Sequence, residues 1–176
     1  FTMAARQRAV RSVGSGQSPF DAWATLQGLE TLSLRMERHC ENATVVAEAL
    51  QAHEDVAWVI HPGLESHETH ANARRYLDGG FGGMIAFGLE GGYEAGKRVC
   101  EETELARFLA NIGDARTLLI HPASTTHAQL SEAEQRASGV TPDLVRLSVG
   151  IEDPADIVAD LERAIERASV ATGAAD

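Results

Sequence analysis

A chain of 176 residues with 44% hydrophobic side chains is long and apolar enough to bury the core of one domain. Its formal net charge of -11 argues against nucleic acid or an anionic membrane surface as a partner, because clustered lysine and arginine hold such partners. No segment approaches the roughly 18 to 20 consecutive apolar residues that span a bilayer, so we expect a soluble, cytoplasmic protein. The basic cluster Arg6, Arg8 and Arg11 is expected to be a solvated face.

Two features of the residue content limit the chemistry that the chain can do alone. It begins at Phe1 and not at a methionine, which suggests a truncated or processed product, and Lys97 is the single lysine among its 15 basic side chains. Cys40 and Cys100 lack the paired spacing of a zinc or redox site. We therefore expect buried or half-buried thiols in a reducing compartment.

The first predicted element is a long helix that follows a lead-in over residues 1–17, whose last part, residues 14–17, reads as a flexible joint. Ser18 can cap the helix, Pro19 has the φ of a first helical residue, and Asp21 suits the positive end of the dipole. Apolar residues at three- and four-residue steps predict that the helix runs to about Ala52, with a bend at Gly28.

Short strands and helices then alternate along the chain. The predicted strands are Val56 to Ile60, Met84 to Leu89, Thr117 to Ile120 and Leu144 to Val149. The predicted helices run from Ser66 to Tyr76, from Glu94 to Glu101, from a capping box at Ser131–Glu134, and from a cap at Asp153. This order predicts an α/β or α+β domain over residues 18–170, with helices covering a small sheet, and a fraying tail at residues 171–176.

Arg146 is the most informative side chain, because it lies in the middle of an apolar strand. A guanidinium stays charged and is costly to bury unpaired, so an anion must meet it. One interpretation is a bidentate clamp for a substrate carboxylate, and the other, at even odds, is an internal ion pair with Asp or Glu.

A second polar cluster surrounds the strand that ends at Ile120. Asn111–Asp114 precedes it, and His121–His127, with three hydroxyl side chains, follows it. Such a segment at a sheet edge is typical of a ligand-binding loop, whereas Ser124–Thr126 read alone would be ordinary turn and cap residues.

Three other candidates have structural interpretations. His61, His67 and His70 lack a completing ligand at metal-site spacing, so we expect surface histidines and no metal site. Residues 79–83, rich in glycine, precede a strand and do not open a helix, which predicts a turn and not a phosphate loop. Lys97 lies among carboxylates on a predicted exposed helix face, where its amine would stay protonated, so we expect no Schiff-base chemistry from this chain alone.

Six segments in order along the chain carry a resemblance that extends from about Phe1 to Ala168. They are Ser18–Phe20, Leu26–Leu32, Arg35–His39, Asn111–Asp114, His121–His127 and Arg146–Glu152. Together they resemble the Cys/Met-metabolism family of pyridoxal-phosphate (PLP) enzymes, and Asn111–Asp114 with Ser124–His127 is most similar to its O-acetylhomoserine sulfhydrylases.

The resemblance implies a fold, a reaction and three site residues. The fold is the small carboxy-terminal domain of a fold-type-I transferase, with a long amino-terminal linking helix. The reaction, in methionine biosynthesis, replaces the acetate of O-acetylhomoserine by sulfide or a thiol to give homocysteine or methionine. Arg146 would bind the substrate α-carboxylate, supported by Asn111 and Thr126.

The same resemblance implies that pyridoxal 5'-phosphate and its lysine belong to an amino-terminal domain outside this chain, in a parent that is a homotetramer. It also implies that this chain has no catalytic or cofactor-binding residue. The fragment alone would then be inactive. Two alternatives stay open. One is an enzyme of the same family that makes or cleaves cystathionine, and the other is a stand-alone, non-catalytic binding or assembly module.

Overall fold

The computed structural model describes residues 1–14 and 16–173, the last four of them, from residue 170, by backbone alone. It divides into two compact units, Phe1–Leu34 and Arg35–Asp176. The predicted joint at residues 14–17 includes Ser15, which lies outside the described residues, as does the end of the predicted tail, residues 174–176. None of the helices in the described ranges is long and apolar enough to cross a bilayer.

The first unit is helical from near its start. Helix α1 (Thr2–Ala4), a π-helix (Ala5–Val10) and α2 (Arg11–Val13) form the lead-in, which ends at Gly14 with a φ of 76°. The arginines of the lead-in are exposed, as predicted.

The predicted long helix is two helices. Helix α3 (Pro19–Glu30) starts at Ser18, whose hydroxyl accepts the N–H of Asp21 at 3.1 Å, as the sequence predicts. The predicted bend at Gly28 is wrong: the interruption falls at Thr31, which leaves helical geometry with φ -108° and ψ 7°. Helix α4 (Leu32–Ala52) follows and buries one stripe, which is His39, Asn42, Ala43, Val46, Ala47 and Leu50.

A five-stranded mixed sheet in the order β1-β2-β5-β4-β3 forms the centre of the second unit. Its strands are β1 (Val56–Ile60), β2 (Met84–Leu89), β3 (Arg107–Phe108), β4 (Leu118–Ile120) and β5 (Leu144–Ser148). Strands β1, β2, β5 and β4 pair antiparallel in that order, and β3 pairs parallel with β4. Four strands are confirmed to within one residue, and β3 was not predicted.

The two sheet faces differ in what they meet. Successive side chains of a strand point to opposite faces, so Phe87, Val145 and Leu147 share one face and Ala86 and Arg146 share the other. The first group is fully buried in a single apolar core with residues of α4, of α6 (Gly92–Glu102) and of α8 (Pro154–Gly173). Helices therefore cover the face opposite Arg146.

The remaining elements follow local capping chemistry. Helix α7 (Glu132–Ala137) has the predicted capping box between Ser131 and Glu134, and Asp153 accepts the N–H of Ala155 at 2.9 Å at the start of α8. Helix α5 (His70–Tyr76) starts four residues later than predicted, because a turn at residues 64–70 precedes it.

The glycine-rich segment at residues 79–83 is a turn, as predicted, with φ of 82° at Gly79 and 86° at Gly82.

Candidate functional site

Arg146 lies at the centre of the sheet, on the face opposite the one that α4, α6 and α8 cover. Its backbone is in register with Ala86 of β2 and Ile120 of β4, and its side chain is half-buried. None of the ion pairs within residues 1–14 and 16–173 involves Arg146. The internal ion pair that the sequence left open is therefore not observed among the described residues, and the guanidinium is available to an outside anion.

Asn111 lies in the segment of residues 109–117 that joins β3 to β4. Its side-chain oxygen accepts the N–H of Ile112 at 2.9 Å, and the residue is exposed. The turn that follows has Gly113 at a φ of 73° and is fixed by Asp114, whose carboxylate accepts the N–H of Arg116 at 3.0 Å. That hydrogen bond lowers the pKa of the Asp114 carboxyl.

Thr126 is exposed in the segment after β4, where its hydroxyl lies 2.9 Å from His127 Nδ1. The start of this segment is fixed by His121, which is fully buried. His121 Nε2 donates to the Pro142 carbonyl at 2.7 Å, so its Nδ1 accepts from the Ser124 hydroxyl at 2.9 Å. Burial lowers the pKa of His121, which favours this neutral form.

Because β3 and β4 are parallel, the segments that carry Asn111 and Thr126 leave the sheet at the same end, and the first segment then returns to the start of β4. Ile120, the last residue of β4, is opposite Arg146. Within the described chain no hydrogen bond or ion pair joins any two of the three side chains. Their convergence on one ligand remains a prediction.

A buried polar network that the sequence analysis missed holds the strand of Arg146 at its far end. From α4, His39 Nδ1 lies 2.6 Å from the Val149 carbonyl, and Asn42 Nδ2 donates to the carbonyls of Gly150 and Glu152 at 3.0 and 2.8 Å. The Glu152 carboxylate in turn accepts the N–H of Thr117 at 2.7 Å. The sequence signal was present, because His39 and Asn42 interrupt the apolar stripe of α4 at a spacing of three.

His61, His67 and His70 were expected to lie on the surface and to form no metal site. His61 is fully buried, so its expected place on the surface is wrong, while His67 and His70 are half-buried. His61 Nδ1 accepts the N–H of Gly63 at 3.2 Å, and His70 bonds the Pro62 carbonyl at 2.9 Å. Among the described residues no three His, Cys, Asp or Glu side chains are grouped to hold a metal ion.

A covalently bound PLP needs a lysine amine, and Lys97 is the single lysine of this chain. It is half-buried and not exposed as expected, and it lies on α6, which packs against the core face of the sheet. Arg146 projects from the opposite face. The only amine-bearing side chain of the chain therefore does not fit a Schiff-base position beside that arginine.

The fold and site define an α/β domain in which Arg146 lies on the sheet face opposite α4, α6 and α8 and forms no ion pair with the described residues. The family model described as Cys/Met metabolism PLP-dependent enzyme matches residues 2–166, and the chain belongs to that family.

Among curated relatives, the chain is 51% identical over 167 residues to the O-acetyl-L-homoserine sulfhydrylase of Leptospira meyeri. It is 49% identical over 166 residues to the homocysteine synthase of Schizosaccharomyces pombe. Each match covers 94% of this chain, and the chain spans 38% and 39% of those two relatives.

A solved structure from Campylobacter jejuni, named O-acetylhomoserine (thiol)-lyase, superposes with a TM-score of 0.85 at 42% identity. The match covers 94% of this chain and 39% of the other, and that structure carries N'-pyridoxyl-lysine-5'-monophosphate. The predicted PLP-enzyme family and fold are thereby confirmed, and the chain corresponds to about two fifths of such proteins.

Proposed function

We propose that this chain is the substrate-binding part of a PLP-dependent O-acetylhomoserine sulfhydrylase, which converts O-acetylhomoserine and sulfide to homocysteine and acetate. The observation that carries the proposal is Arg146, a half-buried guanidinium on the sheet face opposite α4, α6 and α8 that pairs with no anion among the described residues. The relatives' names, O-acetyl-L-homoserine sulfhydrylase and homocysteine synthase, support this reaction.

Arg146 would bind the α-carboxylate of the amino acid through two parallel hydrogen bonds. Asn111 would add its amide N–H₂, since its oxygen already accepts from Ile112, and the Thr126 hydroxyl would donate to the same group. This grip fixes the substrate so that its γ-carbon, which carries the acetyl ester, lies in one orientation at the reacting centre.

PLP supplies the electron withdrawal when bound, and we propose that its lysine belongs to a part of the whole enzyme that this chain does not span. Lys97 supports this proposal because it lies on the helix-covered face. We further propose a cytoplasmic homotetramer as the parent. The two unpaired thiols, Cys40 and Cys100, fit a reducing compartment.

The test is a product assay on the full-length enzyme with O-acetylhomoserine and either sulfide or cysteine. Homocysteine from sulfide, with less than about a tenth of that rate for cystathionine from cysteine, supports a sulfhydrylase. The reverse preference would instead identify a cystathionine-forming enzyme of the same family. The 176-residue chain assayed alone is the control, and it should show neither activity nor a borohydride-reducible cofactor on Lys97.

A further inference from the structure

A small, partly open cavity lies at the end of the strand that carries Arg146. Its volume is about 50 Å³. The lining residues are Met36, His39, Gly83, Met84, Ile112, Gly113, Ser148 and Val149. Since Ser148 is two residues from Arg146 and Ile112 is next to Asn111, the cavity adjoins both segments of the proposed substrate site.

His39 is the one ring in this lining, and it has an unused polar atom. The side chain is 2% exposed, and its Nε2 has no hydrogen-bond partner. Its Nδ1 lies 2.6 Å from the Val149 carbonyl, which can only accept, so Nδ1 carries the proton. A neutral ring in this tautomer presents a lone pair at Nε2.

A buried acceptor without a partner is costly, on the order of 1 to 3 kcal/mol, so a donor is expected to meet it. No donor among the described residues does so. The cavity is larger than the roughly 10 to 15 Å³ that one water needs, and Ser148 adds a hydroxyl to its wall.

The geometry points to a binding site for one small neutral hydrogen-bond donor, water or hydrogen sulfide, held by His39 Nε2 beside the substrate site. An ammonium or a carboxylate is not a suitable occupant, because most of the wall is apolar and would not replace the water around a charge. Gly83 forms the wall behind the ring, where an added Cβ would come within 3.3 Å of His39 Cβ.

Water and hydrogen sulfide would give the cavity different roles. The thioethers of Met36 and Met84 form a soft, polarizable wall that suits a sulfur hydride. If hydrogen sulfide occupies the site, the cavity holds the second substrate next to the first, an assignment that rests on the proposed function. Water would instead be a structural ligand that completes the support of residues 110–116.

Two substitutions separate the ring nitrogens of His39. His39→Asn can keep a donor to the Val149 carbonyl while removing the acceptor at the Nε2 position. His39→Gln can keep an acceptor near Nε2 while losing the Val149 bond, and it serves as the matched control.

The experiment is a high-resolution crystal structure of the full-length enzyme, with and without sodium sulfide, using anomalous scattering to distinguish sulfur from oxygen. We expect one non-protein atom within hydrogen-bond distance of His39 Nε2 in the wild type and of the glutamine Oε1 in His39→Gln, and an empty cavity in His39→Asn. An empty wild-type cavity, or an occupant that His39→Asn retains, would overturn the proposal.

Nitrogen-15 NMR of histidine-labelled wild-type enzyme tests the same inference without a variant. An unprotonated, hydrogen-bonded Nε2 is expected, and a protonated Nε2 contradicts it. If sulfur is found, the KM for sulfide should rise about tenfold or more in His39→Asn, with kcat little changed. Because occupancy is read independently of turnover, an enzyme without sulfhydrylase activity would refute the proposed function and leave the donor site standing.

Discussion

Glu152 holds Thr117 by both its backbone and its side chain. The carboxylate accepts the N–H of Thr117 at 2.7 Å and its hydroxyl at 2.9 Å, and the same hydroxyl accepts the N–H of Gly150. This contact links the end of the β5 segment to the start of β4. It thereby fixes one end of the segment that carries Asn111.

We expect Glu152→Gln to lower the free energy of unfolding by about 1 to 3 kcal/mol. A glutamine has one acceptor oxygen in place of two, so it can accept from the N–H or from the hydroxyl of Thr117 but not from both. Urea denaturation measures the change, and the exposed Glu166→Gln is the control. Equal midpoints for the two variants would contradict the structural role of this contact.

Substitution of Asp160 should also lower the free energy of unfolding. It is 2% exposed, and its carboxylate accepts the N–H groups of Glu104, Leu105 and Ala106 at 2.9 to 3.1 Å. Asp160→Asn keeps the shape but turns one acceptor into a donor against those amides. A loss of about 2 to 4 kcal/mol is expected by urea denaturation, because buried donors become unpaired. A loss below about 0.5 kcal/mol, as for a surface substitution, would show that these three hydrogen bonds of Asp160 do not stabilise the fold.

The pH dependence of stability is expected to include a contribution from His61. Burial, and then the neighbouring His67, lowers the pKa of His61 from 6.5 to about 4. The unfolded chain therefore binds a proton on this residue at a higher pH than the folded chain does. The resulting stability is complete above about pH 6.5 and is lost progressively as the pH falls towards 4, by about 3 kcal/mol in all.

His61→Asn tests this contribution, because an asparagine oxygen can accept the Gly63 N–H that His61 Nδ1 now accepts. The free energy of unfolding of the variant, measured between pH 4 and 7.5, should vary less with pH than that of the wild type. Two parallel curves would show that His61 does not titrate differently in the folded and unfolded chain.

The sequence predicted the elements whose signals are local. The strand at residues 84–89 has apolar residues between glycine pairs, and the starts of α3, α7 and α8 are set by caps within four residues. The missed features depend on distant partners. Strand β3 has only two residues and exists because β4 lies beside it, and the His39–Val149 contact spans 110 positions.

The same distinction applies to the candidate site. Arg146 was identified because a charge in an apolar strand is anomalous by itself. Asn111 and Thr126 came from the resemblance, and their side chains make only local hydrogen bonds, with Ile112 and His127. The cavity beside His39 could not be predicted, because its walls come from four separate parts of the chain.

The convergence of Asn111 and Arg146 on one carboxylate can be tested by a double-mutant cycle in the full-length enzyme. If both residues bind the same group, Asn111→Ala and Arg146→Lys should be non-additive in kcat/KM by about 0.5 to 3 kcal/mol. The exposed Arg136→Lys combined with Asn111→Ala is the matched control and should be additive. Additivity in both cycles would place the two residues in separate sites.

Arg146→Lys should mainly weaken binding of the amino-acid substrate in the full-length enzyme. Lysine keeps the charge but loses the planar fork that donates to both carboxylate oxygens, so a bidentate contact becomes a single one. A charged hydrogen bond contributes on the order of 1.5 to 3 kcal/mol, which corresponds to a loss of about ten- to a hundred-fold in kcat/KM. Cofactor absorbance should be unchanged, and Arg136→Lys should behave as wild type. Wild-type efficiency in Arg146→Lys, or loss of PLP with normal substrate binding, would exclude Arg146 as the carboxylate-binding residue.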